Sequence, residues 1–160
     1  MRLAIAAIGR LRGGPEFDLI SDYSARIRAA GRPLGFTSFE IREMETPKGV
    51  AGAKRQLLET ALLDQSAGPA AKRVVLDERG AALSSEAFAG QIARWRDDGV
   101  SEIVFLIGGA DGHDKSLAAK ADLVIAFGKA TFPHMLVRAM LVEQIYRAIT
   151  ILAGHPYHRG

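Results

Sequence analysis

Two groups of residues in this chain are of kinds that bind small molecules or move protons. The first is a set of three glycine-bearing segments: Leu76-Asp77-Glu78-Arg79-Gly80, Ile107-Gly108-Gly109-Ala110-Asp111-Gly112 and Phe127-Gly128-Lys129-Ala130-Thr131-Phe132-Pro133. Glycine there lets backbone N–H and C=O groups come close to a ligand. The second is the C-terminal run Gly154-His155-Pro156-Tyr157-His158-Arg159-Gly160. Tyr and His stack on nucleobases, Arg pairs with phosphate, and His exchanges a proton near neutral pH. Each group also has a plain reading. Gly108-Gly109 with Gly112 suits an ordinary tight turn, and a basic C-terminal run suits a frayed end.

Residue type and spacing exclude several other chemistries. The glycine run is not G-x-G-x-x-G, and no Gly-Lys-Ser/Thr follows it at P-loop spacing, so a Rossmann dinucleotide site is not expected. His113, Asp114 and Ser116 lie too close together at a helix start to converge as a catalytic triad; capping by Asp114 or exposure to solvent fits them better. With no cysteine in the chain there is neither a thiolate nucleophile nor a thiolate metal site. His155 and His158 flank Pro156 with no carboxylate beside them, so no metal is expected.

The elements that position these groups can be read from period. Leu3 to Ile8, Arg73 to Asp77, Ile103 to Ile107 and Leu123 to Phe127 are short apolar runs bounded by Gly or charge, as in strands buried on both faces. Leu34 to Ile41 is a further strand candidate, with Phe36 and Phe39 breaking the alternation. Helices are expected from Pro15 to Gly31, from Val50 to Leu63, from a Ser84 or Ser85 cap to Gly99, briefly from His113 to Lys120, and from Pro133 to Ala153. Strands alternating with helices predict an α/β domain with a mostly parallel sheet covered on both faces. In such sheets ligands bind beyond the carboxyl ends of the strands, and all three glycine-bearing segments follow strands at that edge. That placement favours a pocket over three unrelated turns. The last helix is apolar over more than one face, which suits either a two-fold partner or a central position in a monomer core.

The 160 residues, 48% apolar and 24% charged, fit a single domain over residues 1–160. The start of the chain lacks the pattern of a signal peptide, and Met135 to Leu152 is interrupted by Arg138, Glu143, Gln144 and Arg147, so no membrane span is expected. The cytoplasm is the expected location. A net charge of +3 is compatible with a polyanionic partner but too small for nucleic-acid binding by charge alone. Candidate RNA-facing cations outside the pocket are Arg10, Arg12, Arg26, Arg28, Lys48, Lys54 and Arg55.

Several ordered motifs resemble the ribosomal RNA large subunit methyltransferase H family. They are Leu76-Asp77 with Gly80, Ser84 to Ala89, Ile107-Gly108-Gly109 with Gly112, Thr131-Phe132-Pro133-His134 with Val137-Arg138, Glu143 to Ala148, and His155-Pro156-Tyr157-His158. The resemblance runs from Ile8-Gly9-Arg10 to the last residues. It implies a SPOUT-type α/β fold with a C-terminal trefoil knot, a homodimer, and methyl transfer from S-adenosylmethionine to N3 of a pseudouridine in 23S rRNA of the assembled ribosome, with neither DNA nor membrane as partner. Carried over by position, it puts Leu76, Gly108, Phe127, Gly128, Lys129, Ala130, Thr131 and Phe132 around the methyl donor. It puts Arg147, Tyr157, His158 and Arg159 on the substrate side, with His158 a candidate base and Arg147 or Arg159 a candidate stabiliser of the imidate. Two positions depart from the family's pattern: Arg10 stands where Lys is frequent, and Ala81 removes a cation that often follows Gly80. Two other classes stay open on the residues alone, a non-catalytic RNA-binding module and a small-molecule enzyme using the glycine-lined pocket for another nucleotide.

Overall fold

A computed structural model describes residues 1–158. The elements are β1 (Arg2–Ile8), α1 (Pro15–Gly31), β2 (Ser38–Met44), α2 (Gly52–Ser66), β3 (Lys72–Ala81), α3 (Ser85–Asp97), β4 (Glu102–Ile107), α4 (Lys115–Ala119), β5 (Leu123–Ile125) and α5 (His134–Leu152). Among the described residues the strands form one parallel sheet in the order β2-β1-β4-β3-β5.

Strand alternation divides the core in two. Leu3, Ile5 and Ala7 of β1 and Ile103, Phe105 and Ile107 of β4 point to one face, where side chains of α1, α3 and α5 cover them. Ala4, Ala6 and Ile8, with Val104 and Leu106, point to the other, where Leu63 of α2 and Leu117 of α4 pack. Burying each large apolar side chain contributes about 1.5–3 kcal/mol, which explains why the two central strands are apolar on both faces. The expected sheet covered on both sides is thus the one observed.

Some boundaries differ from the expected ones for local reasons. The second strand begins at Ser38 rather than Leu34, because Arg32–Leu34 form a 3-10 turn closed by Gly35 at φ 87. Phe36 therefore packs into the core from a loop, which is why it breaks the strand alternation. β3 runs on to Ala81, but its register with β5 jumps from Leu76 to Ala81, so Asp77 to Gly80 bulge away from the ladder. Ala81 then pairs again beside Ile125.

α5 spans the expected segment and packs against both α1 and α3. Much of its wide apolar surface, including Leu141, Val142, Ile145 and Ile149, is therefore buried within one chain. Leu136 remains exposed, and Met135 and Met140 are half-buried. No helix among the described residues is long and apolar enough to cross a membrane.

Candidate active site

The bulge after β3, the turn after β4 and the loop after β5 meet at the carboxyl edge of the sheet, around a cavity of about 480 Å³. Leu76, Gly108, Phe127, Gly128, Ala130, Thr131 and Phe132 all line it. Lys129 is exposed and outside the lining. Residues picked from three separate stretches of sequence thus converge, while one of the eight, Lys129, does not line the cavity.

The walls come together only because the backbones approach closely. A Cβ on Gly108 would lie 2.9 Å from the carbonyl carbon of Gly112, and one on Gly80 would lie 2.6 Å from that of Ile125. No ordinary side chain fits at either point. Gly112 closes the β4–α4 turn by donating its N–H to the Gly109 carbonyl at 3.0 Å and holds φ at 72°. Gln56 of α2 fastens the outside of that turn, its Nε2 donating to the carbonyls of Asp111 and His113 at 3.1 and 3.2 Å. Thr131 joins the third wall to the first by donating from Oγ1 to Glu78 Oε2 at 3.0 Å.

Charge at the rim is ordered. Arg79 donates to both carboxylate oxygens of Asp77, from Nε at 2.9 Å and Nη2 at 2.8 Å, and holds the Asp77 carboxyl down at about 2 despite partial burial. The ring of His113, on the facing turn, reaches the same carboxylate, with Nε2 3.2 Å from Oδ2. Asp114 caps α4 as expected, accepting from Ser116 N–H at 2.9 Å, but His113 is buried rather than solvent-exposed. Beneath the turn, Glu59 is fully buried; its Oε1 accepts from Arg55 and Thr46, and a Cβ at Gly109 would approach its Oε2 to 2.8 Å. At the start of α5, burial first and then Arg138 hold His134 below its ordinary pKa. Arg138, 1% exposed, pairs with Glu43 and donates to the carbonyls of Ile8 and Gly9, so it anchors α5 to the end of β1. Sequence reading gave Gln56, Glu59 and His113 no role in the pocket. Each acts through a contact across the fold, and no local pattern signals it.

The C-terminal residues form a second cluster, away from this cavity. Tyr157 donates its hydroxyl to Glu143 at 3.0 Å and meets the Tyr23 hydroxyl at 3.0 Å, and its ring packs edge-on against Tyr146 at 4.8 Å. Burial, with Tyr23 and Glu143, pushes its phenol up. Arg147 bridges to Glu143 at 2.6 Å and lies over the Tyr157 ring, 4.9 Å from its centre. His158 Nε2 lies 2.6 Å from Glu86 on α3. The tail up to His158 is therefore docked and not frayed; Arg159 lies outside the described residues. Arg147, Tyr157 and His158 come together, but none lines the cavity. Along α5, thirteen residues separate His134 at the cavity from Arg147, about 20 Å at 1.5 Å per residue.

Compared with known proteins, residues 1–158 match the sequence model of a family described as "Predicted SPOUT methyltransferase". Proteins named "Ribosomal RNA large subunit methyltransferase H" from Paracoccus denitrificans and Maricaulis maris are 54% and 50% identical to it, over 99% of this chain and 99% of theirs. One from Nitrobacter hamburgensis is 49% identical over the full length of both. The chain belongs to the ribosomal RNA large subunit methyltransferase H family. This SPOUT methyltransferase family is the one that the ordered motifs resemble, and the three-walled cavity is built from the motif segments Leu76-Asp77, Ile107-Gly108-Gly109 and Thr131-Phe132.

Proposed function

We propose that the protein methylates N3 of a pseudouridine in 23S rRNA within the assembled ribosome, with S-adenosylmethionine as donor, and that it works in the cytoplasm as a knotted homodimer. The observation that carries this reading is the convergence of three glycine-bearing loops on one cavity in a chain of this methyltransferase family. The names of the relatives supply ribosomal RNA as the substrate class.

The cavity fits a nucleoside-bearing donor. It has apolar walls in Leu76 and Phe132, and loops whose glycines leave backbone groups open to a ligand. Leu76, Gly108, Phe127, Gly128, Ala130, Thr131 and Phe132 would hold it, and when bound it supplies an electrophilic methyl group on a sulfonium. The chain's own part is to align the acceptor nitrogen and remove its proton. His158 is suited to the second task. With Nε2 against Glu86, its buried Nδ1 has no hydrogen-bond partner among the described residues and would be the atom that takes the proton. Arg147 or Arg159 would steady the imidate left behind.

Arg147 stands about 20 Å along α5 from His134 at the cavity of its own chain, and neither Tyr157 nor His158 lines that cavity, so the tail of one subunit is proposed to complete the pocket of the other. The exposed Leu136 and half-buried Met135 and Met140, beside the cavity on α5, support a partner at this end of the helix.

The direct test is calorimetric titration with S-adenosylmethionine beside ATP and NAD, followed by methylation assays on ribosomes. Saturable binding of the methyl donor alone is expected, and a preference for ATP or NAD overturns the assignment of the pocket. His158→Ala should cut turnover by at least about a hundredfold, as loss of a general base does, with donor affinity unchanged. Unaltered turnover removes His158 from the mechanism.

A further inference from the structure

A second cavity, of about 330 Å³, lies between α1 and the edge strand β2 and has no place in the mechanism above. We propose that it takes an unstacked nucleobase of the RNA substrate, at a nucleotide other than the one methylated, and so anchors the RNA beside the donor cavity. This inference rests on the reading of ribosomal RNA as the substrate.

The lining has the chemistry of a base site. Phe17 of α1 is 41% exposed, so its ring offers a flat apolar surface, and Leu11, Ile20 and Ile41 complete the apolar part. Stacking a splayed-out base on an aromatic ring is a general means of reading single-stranded RNA. The lining also carries a carboxylate and a guanidinium with capacity to spare. Glu43 uses Oε1 for the Leu11 N–H, 3.0 Å away, and for Arg138, while its Oε2 has no hydrogen bond among the described residues. Arg28 donates from Nε to the Phe39 carbonyl at 3.1 Å, and its terminal nitrogens have no hydrogen bond among the described residues. An ionised carboxylate only accepts and a guanidinium only donates. The pair therefore suits a planar edge that carries a donor and an acceptor together, as the pairing edge of every nucleobase does.

Two further polar atoms in the lining, Ser24 Oγ and Arg138 Nε, have no hydrogen-bond partner among the described residues, although Ser24 is only 5% and Arg138 only 1% exposed. Buried polar atoms are normally paired, and two orphans in one lining point to an occupant with polar atoms of its own. Other occupants fit less well. A free phosphate would meet the Glu43 carboxylate, and a wholly apolar ligand would bury that carboxylate and Ser24 with nothing in exchange. The position also suits RNA. Arg10 and Arg12, which flank Leu11 in the chain, are exposed and share the Glu45 carboxylate at 3.4 and 3.8 Å. Along α5, Arg138 at this cavity is four residues from His134 at the donor cavity, about 6 Å at 1.5 Å per residue. Nucleotides close together on one strand can span that separation.

The test has two arms. A photoreactive benzoylphenylalanine placed at position 17 should crosslink, on ribosomes, to one rRNA nucleotide other than the methylated pseudouridine, its position read by primer extension. Crosslinking to a ribosomal protein, or to rRNA at scattered positions, overturns the site. In methylation assays Phe17→Ala and Arg28→Gln should each raise KM for ribosomes about tenfold, within what one stacked base or one charged hydrogen bond supplies. Their kcat and their affinity for S-adenosylmethionine should stay at wild-type values, a split that a merely structural role would not give. Arg28→Lys keeps the charge but not the planar fork, so it should lose nearly as much as Arg28→Gln. Full recovery with Lys would mean a phosphate contact and overturns the base reading, and an unchanged KM in Phe17→Ala overturns the proposal outright. If Phe17→Ala does not fold, Arg28→Gln and the crosslink decide. If the wild type methylates no ribosomes, the methyltransferase reading fails, while the crosslink still decides whether the cavity holds RNA.

Discussion

At the scale of single residues, the pocket depends most on atoms that are absent. Gly80 and Gly108 each sit where a Cβ would strike backbone, at 2.6 Å and 2.9 Å, and backbone cannot rotate away as a side chain can. The two positions should nonetheless respond differently. Gly80→Ala pushes the bulge off Ile125, where Ala81 and Ala126 also hydrogen-bond at 3.0 Å, so it strains the junction of β3 and β5. Gly108→Ala strains only the turn that Gly112 closes. Overpacking costs about 1–3 kcal/mol, and Gly80→Ala should fall at the upper end and Gly108→Ala at the lower. Donor affinity should reverse that order, since the strained turn at 108 borders the cavity directly. Chemical denaturation beside titration with S-adenosylmethionine separates the two effects, and equal losses of affinity would place both glycines in packing alone.

At the scale of elements, the helices aim the groups that the sheet cannot. α3 is capped by Ser84, whose hydroxyl accepts from Ala87 N–H at 3.1 Å, and in its first turn it presents Glu86 to His158. Ser84→Ala should cost about 1 kcal/mol, as loss of an N-cap does. It should also loosen the tail, read as faster proteolytic removal of the C-terminal residues at a temperature where the fold persists. Unchanged tail protection would mean that Glu86 is placed by packing of Phe88 and Ile92 rather than by the cap. The same scale shows what was legible in the sequence. The strands with apolar residues on both faces, the Pro15 and Ser84 helix starts and the three loops at one sheet edge all follow from local pattern, because alternation, caps and glycine are local signals. The bulge at Asp77 to Gly80 and the burial of His113 are not local. One depends on the backbone of β5, and the other sets a ring beside a carboxylate 36 positions earlier in the chain, so neither leaves a periodic trace. The tail was legible in its chemistry but not in its docking, which depends on Glu143 from α5, Tyr23 from α1 and Glu86 from α3.

At the scale of the whole molecule, the distance between the cavity and the tail sets a question about subunits. A chain with both sets of residues but no path between them needs either a large rearrangement or a second copy. The tail is tied by Glu143, Tyr23, Tyr146 and Glu86, so releasing it would break several contacts at once, whereas a two-fold partner uses it where it lies. The two routes predict opposite results for mixed subunits. Gly108→Ala subunits keep their tails but lack a competent pocket; subunits ending at Gly154 keep the pocket but lack the tail. Neither preparation alone should methylate ribosomes. If the tail serves its partner, each mixed dimer contains one complete site, formed by the intact pocket of the truncated subunit and the intact tail of the other. Random reassociation of equal amounts puts half the chains in such dimers, so about a quarter of wild-type activity should return. If each tail folds back to its own pocket, no complete site exists in any pairing and the mixture stays inactive. A linear dependence of recovered activity on the measured fraction of mixed dimers would tie the recovery to shared sites.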